Sequence, residues 1–203
     1  MKLDLRVRTV SVLCALFISA CATAPRAPVT VDAAQVAAFE LNGRVNVRAE
    51  KSAYPGRIRW HHQPDRDEVW LYSPLGSGVA HMQQNAAGAS LVTSDGKEYR
   101  GAHITELARR VLGYDLPLDG LQYWVRGLPW PALDGVQREE DAEGRPKQIT
   151  QGAWKVDYLD WAPAGARGLP SKLDVAGAGL RMRLVIDEWK VHDDEKRDRK
   201  SVV

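Results

Sequence analysis

Cysteine is nearly absent: 203 residues contain two, Cys14 and Cys21, both near the N-terminus. Disulfide frameworks and thiolate metal sites need cysteines spread through the folded part of a chain, so everything after Cys21 is without either. Net charge is equally scarce, +2 at pH 7 with the two signs interspersed. That balance lacks the basic footprint of nucleic-acid binding. No apolar run reaches membrane-spanning length; Val10 to Ile18 is about half of the roughly 20 residues required. Phosphate-cradling glycine motifs are missing, and Gly76-Ser77-Gly78 lacks the frame of a nucleophile elbow. His61 and His62 are neighbours, and on a strand they point to opposite faces, so one ion could not readily take both. Glu139, Glu140, Asp141 and Glu143 lie beside Gly144 and Pro146 and read as a solvated turn. No catalytic residue, metal ligand or cofactor is expected.

What is present begins with an address. Lys2, Arg6 and Arg8 precede the apolar run, and Ser19-Ala20 precede Cys21; a basic stretch, a short apolar core and small residues before a cut site describe a secretory signal peptide over residues 1–20. Ile18-Ser19-Ala20-Cys21 resembles the bacterial lipobox, which implies that Cys21 becomes an acylated N-terminus. An ordinary signal with a chance cysteine is the alternative. Stable anchoring takes more than one acyl chain, which a triacylated Cys21 would supply. The following residue is Ala22 rather than aspartate, and by the sorting rule this resemblance implies, the destination is the outer membrane. Residues 21–38 read as a lipidated tether with Pro25 and Pro28, then a short helix capped by Asp32.

Beyond Phe39 the apolar period is two. Leu41, Gly43, Val45 and Val47 alternate with Asn42, Arg44, Asn46 and Arg48, and Ile58, Trp60 and His62 alternate with Arg57, Arg59 and His61; both patterns predict half-buried strands. Further strands are predicted at 68–72, 79–83, 89–93, 148–151, 154–158, 172–175 and 180–189, with Asp95-Gly96 as a hairpin turn. The middle changes period: Ile104, Leu107, Ala108, Val111 and Leu112 have helical spacing ended by Gly113, and Asp119 can cap a second helix with Leu121, Trp124 and Val125. Strands, one helical pair and more strands is not a parallel α/β order. Seven tryptophans against two phenylalanines can line a wide apolar interior, although packed cores use them more often. The run from His192 to Lys200 has no apolar residue, which makes 192–203 a charged, solvated tail.

Several segments resemble the LolB family in order and spacing: Leu41-Asn-Gly-Arg44, Ile58-Arg-Trp60, Ser73-Pro-Leu-Gly76, Asp95-Gly-Lys-Glu-Tyr99, Leu116-Pro-Leu118, the stretch from Leu121 to Pro129, Trp154-Lys-Val-Asp-Tyr158 and the stretch from Arg181 to Trp189. The resemblance assigns 39–191 to one domain. It implies a mainly β (α+β) fold, an incomplete antiparallel β-barrel with a helical lid over an apolar cavity. It further implies a monomeric receptor that takes lipoproteins from a LolA-like periplasmic carrier by their acyl chains and inserts them into the outer membrane. Candidate cavity residues are Leu41, Val45, Ile58, Trp60, Leu71, Leu91, Leu121, Trp124, Val125, Leu184 and Ile186, each with ordinary core packing as the competing reading. Pro74, Leu75 and Gly76 correspond to the family's protruding loop, in which Leu75 would enter the bilayer; folding back onto the barrel is the alternative. A structural envelope lipoprotein with a packed core is the rival reading for the whole chain.

Overall fold

The alternation around Leu41 becomes β1 (Ala38–Ala49), the middle strand of one large sheet. Along the chain follow β2 (Ser52–Gln63), β3 (Arg66–Tyr72), β4 (Gly78–Asn85), β5 (Gly88–Thr93) and β6 (Glu98–Gly101). Then come α1 (Ile104–Leu112), α2 (Leu118–Trp124), β7 (Gln137–Glu140), β8 (Pro146–Gln151), β9 (Trp154–Trp161), β10 (Pro170–Gly177) and β11 (Leu180–His192). The computed structural model describes residues 32–49, 52–113, 115–162 and 168–192. The expected signal peptide, Cys21, most of the tether and the tail beyond His192 lie outside the described residues.

The sheet has 11 strands in the order β6-β5-β4-β3-β2-β1-β11-β10-β9-β8-β7, and every neighbouring pair is antiparallel. It is mainly β and not closed, as the family resemblance implied. The two edges, β6 and β7, are joined in sequence by 102–136, the segment that carries both helices. A sheet that curls without closing leaves an open side, and the helical insert therefore falls where the missing strand pairing would be.

Bulges do much of the bending. Between β1 and β11 the register shifts at Asn42/Gly43, leaving Asp187 as the extra residue. Inward positions on β11 are even-numbered from Leu180 to Ile186; after the bulge parity inverts, so Trp189 opposes Leu41 and its ring meets Phe39 edge-on at 5.3 Å. Gly43 is required here, because a Cβ would run into the carbonyl of Val185.

Three expectations need correction. Residues 32–39 form only a 3-10 turn, Ala33–Gln35, in which the Asp32 carboxylate accepts from Ala34 N at 3.0 Å; the helix stops because Ala38 already pairs with His192 in the sheet. Asp119 does not cap α2, whose N-cap is Pro117; its carboxylate accepts from Thr105 Oγ1 at 3.1 Å and links the helices. Glu139 and Glu140 belong to an edge strand, Gln137–Glu140, exposed along its length and so without an apolar period to read, whereas Asp141 and Glu143 lie in the expected turn, where Asp141 N donates to the Arg145 carbonyl at 2.9 Å. Every described strand and core residue lies between Val36 and His192.

Candidate functional site

Between the inner face of the sheet and the helical insert lies an apolar cavity of about 310 Å³. Its floor comes from five strands: Val45 and Val47 of β1, Ile58 of β2, Val69 and Leu71 of β3, Met82 of β4 and Met182 of β11. Its roof is Val111 of α1, Leu116 and Pro117 of the interhelical connection, and Leu118 and Leu121 of α2. At the mouth stand Tyr54, Pro55, Arg57, Tyr72, Pro74 and Val79. Among the described lining residues Arg57 is the only charged one. Such a chamber offers contact area and no reacting group.

The roof is held unevenly. At its β8–β9 end the anchorage is dense and buried. Gln151, fully buried, accepts from Trp130 N at 2.9 Å and from Trp124 Nε1 at 3.4 Å, and donates to the carbonyls of Trp130 (2.6 Å) and Leu133. The Tyr158 hydroxyl donates to the Trp124 carbonyl at 2.9 Å, and burial raises its pKa. Arg126 donates to the carbonyls of Gln122 (2.9 Å) and Val36 and lies 5.2 Å from the Tyr123 ring centre; burial lowers its pKa. The α1 end has fewer ties: Ile104 N donates to Gln84 Oε1 at 2.8 Å and Arg110 to the Arg100 carbonyl at 3.1 Å. The cavity is roofed between these two ends, and Ile104, Leu107 and Ala108 seat α1 in the core.

The turn after β3 projects from the mouth. Ser73 N donates to the Ser77 carbonyl (2.8 Å), Gly76 N to the Ser73 carbonyl (2.9 Å) and Ser77 N to Ser73 Oγ (3.1 Å). Gly76 takes φ +92°, a conformation that favours glycine. This internal bonding fixes the loop with Leu75 at its tip, 96% exposed. Pro74, beside it, lines the mouth.

Of the candidate cavity residues, Val45, Ile58, Leu71 and Leu121 line the chamber. Leu41, Leu91, Trp124, Val125, Leu184 and Ile186 are buried in the core away from it. Trp60 borders a separate pocket of about 10 Å³, where its Nε1 donates to Asp67 at 2.7 Å. Asp67 also meets His62 Nδ1 at 2.8 Å, while Phe39 contacts Trp60, His62 and Trp189. No described tryptophan lines the large cavity; the indoles pack. Sequence reasoning missed Tyr54, Val111, Leu116 and Met182 as lining residues. Val111 and Met182 carried a signal, since each lies on an apolar stripe already read. Among the described residues no three His, Cys, Asp or Glu could share a metal ion.

The described residues thus define a structural class, an open antiparallel half-barrel with a helical lid over an apolar chamber. Within that class the chain belongs to the LolB family: the family model described as outer membrane lipoprotein LolB matches residues 37–189. It is similar to the outer-membrane lipoprotein LolB of Azoarcus sp. (strain BH72), 39% identical over 175 residues, covering 86% of this chain and 90% of that one. The protein of the same name from Thiobacillus denitrificans is 39% identical over 173 residues, covering 84% and 90%. A solved LolA superfamily protein from Nitrosomonas europaea is similar at TM-score 0.49 and 11% identity over 78% of this chain and 87% of that one. Membership places the chain among outer-membrane lipoproteins of lipoprotein localisation, and not among enzymes.

Proposed function

We propose that this chain is a receptor, anchored to the outer membrane by an acylated Cys21, that draws the acyl chains of client lipoproteins from a LolA-like soluble carrier into its cavity and releases them to the membrane beside Leu75. The observation that carries this reading is the cavity itself, about 310 Å³ and apolar, opening next to a turn whose leucine has nothing to pack on. Acyl chains in water are costly, roughly 0.8 kcal/mol per methylene, so a passage across an aqueous space needs shielding at every step. An apolar chamber shields without directional bonds and so tolerates varied chains. Cavities of about 150 Å³ lined by such side chains take up a benzene-sized guest. The present volume therefore suits part of one chain, and accepting whole chains requires the Val111–Leu118 connection to lift.

Direction follows from a rising affinity: carrier, then receptor, then bilayer, with no nucleotide consumed. The test uses residues 32–192, mixed with carrier loaded with an acylated lipoprotein. Cargo appearing with the receptor after affinity capture supports the reading. Cargo remaining on the carrier, with the receptor shown to be folded, favours a structural envelope lipoprotein.

A further inference from the structure

Three of the exposed large apolar side chains, Tyr54, Leu75 and Val79, belong to the mouth end of the barrel. Three arginines that hold no carboxylate among the described residues stand around them. Arg57 opposes Tyr72 across β2 and β3, and lines both the mouth and an outer groove that reaches Gly76. Arg48 and Arg181 oppose each other directly across β1 and β11, beside the β1–β2 and β10–β11 hairpins at that same end. All three are exposed. Neighbouring arginines each hold a carboxylate: Arg44 with Asp187 at 2.7 Å, Arg59 with Glu40 at 3.3 Å and Arg183 with Asp174 at 2.6 Å. Among the described residues Arg48, Arg57 and Arg181 hold none. Like charges directly opposite on adjacent strands weaken a sheet, and an anion from outside would relieve the Arg48–Arg181 pair, whose groove also holds Asp157 and Asp174.

We propose that Arg48, Arg57 and Arg181 form a cationic frame that seats the cavity mouth against the phosphates of an anionic lipid surface, setting Leu75 at the depth of the acyl chains. The frame rests on the reading of Leu75 as the membrane-facing side chain. A bilayer is the partner whose chemistry matches both parts, since it presents phosphates at its surface and hydrocarbon just below. Arginine stems can lie along apolar surface while their heads reach the phosphate level.

The test is flotation of residues 32–192 with vesicles of phosphatidylcholine alone or mixed with phosphatidylglycerol, at low and high salt. The mixed vesicles should bind more protein, and salt should reduce the difference. A basic side chain near such a surface contributes about 1 kcal/mol, about fivefold in partitioning, so Arg48→Gln, Arg57→Gln and Arg181→Gln together should lower binding by roughly 100-fold. The corresponding triple lysine variant should keep most of it. Arg66→Gln, Lys147→Gln and Lys190→Gln, an equal loss of charge at the far end of the strands, should change it by less than about twofold. The proposal is overturned if the triple glutamine variant binds as the parent does, if the far-end control loses as much, or if the parent shows no preference for phosphatidylglycerol. Cargo acceptance from the carrier, measured without vesicles, separates the two readings: its persistence alongside any of those outcomes removes the arginine frame alone, and its failure removes the receptor function as well.

Discussion

The hydroxyl of Tyr158 donates a 2.9 Å hydrogen bond to the backbone carbonyl of Trp124, tying the last turn of α2 to β9. This bond joins the lid to the sheet 34 residues further along the chain. The Trp124 carbonyl also accepts from Gly127 N, so removing the phenol leaves no bare acceptor. Tyr158→Phe should therefore cost only about 1 kcal/mol, seen as a fall in melting temperature of roughly 3 °C for a domain of this size.

The same tyrosine gives a pH dependence. Burial raises its pKa above the ordinary phenolic value, so above about pH 10 the unfolded chain loses this proton while the folded one keeps it. Its contribution is complete below the unfolded pKa and declines as pH rises toward the folded one. Denaturant titrations above pH 10 should show stability falling with pH, with a shallower fall for Tyr158→Phe. Equal slopes would mean that the phenol is not buried against Trp124.

Gly120 sets two effects against each other. Alanine in a helix interior is favoured over glycine by about 1 kcal/mol, but a Cβ at Gly120 would lie 2.7 Å from the Trp124 ring. Overpacking of a fixed core costs about 1–3 kcal/mol, and Trp124 is fully buried with its indole bonded to Gln151. Gly120→Ala should destabilise on balance, and chemical denaturation measures it. A gain in stability would show that the indole can move aside.

Core and cavity positions should separate in experiment. Leu184 is fully buried away from the chamber, so Leu184→Ala should cost about 2–5 kcal/mol while folded protein still accepts cargo. Leu71 lines the chamber and is half-buried, so Leu71→Trp should occupy space at a stability cost of no more than about 1–3 kcal/mol and should reduce cargo acceptance. Calorimetry and carrier-to-receptor transfer together distinguish the two.

Leu75→Glu should leave the melting temperature unchanged, because the side chain is 96% exposed and such surface positions usually move stability by less than about 0.5 kcal/mol. Acceptance from the carrier should persist while deposition into vesicles fails. Normal deposition would remove Leu75 from the release step.

The reading of the sequence succeeded where one face of an element is wet. The alternation at Leu41–Arg48 and the helical spacing of Ile104, Leu107, Ala108 and Val111 both place side chains correctly, and Gly113 ends α1 at φ +85°. The loop at Leu75 was marked by the resemblance, but its 96% exposure was not legible, because folding back onto the barrel remained the alternative. The cavity lining was only partly legible, for a geometric reason: period two reports which face a residue occupies, not how far the opposite layer stands from it. Leu41 and Val45 share a face of β1, yet Leu41 is in the core and Val45 borders the chamber. That difference is set by where α1 and α2 come to rest. The buried hub at Gln151 had no local signal, since its partners lie 18 to 27 residues away. Parity along β11 inverts at Asp187 through a bulge that simple alternation does not report.

The most direct test is to load residues 32–192 from carrier with a lipoprotein bearing a photoreactive group at an acyl-chain end, irradiate, and map the cross-links. Adducts at Val45, Leu71, Val111 and Leu121 are expected, with few on outward residues such as Asn46 and Arg183. Adducts spread over the outer face, or none despite transfer, would contradict an acyl-chain cavity beneath the helical lid.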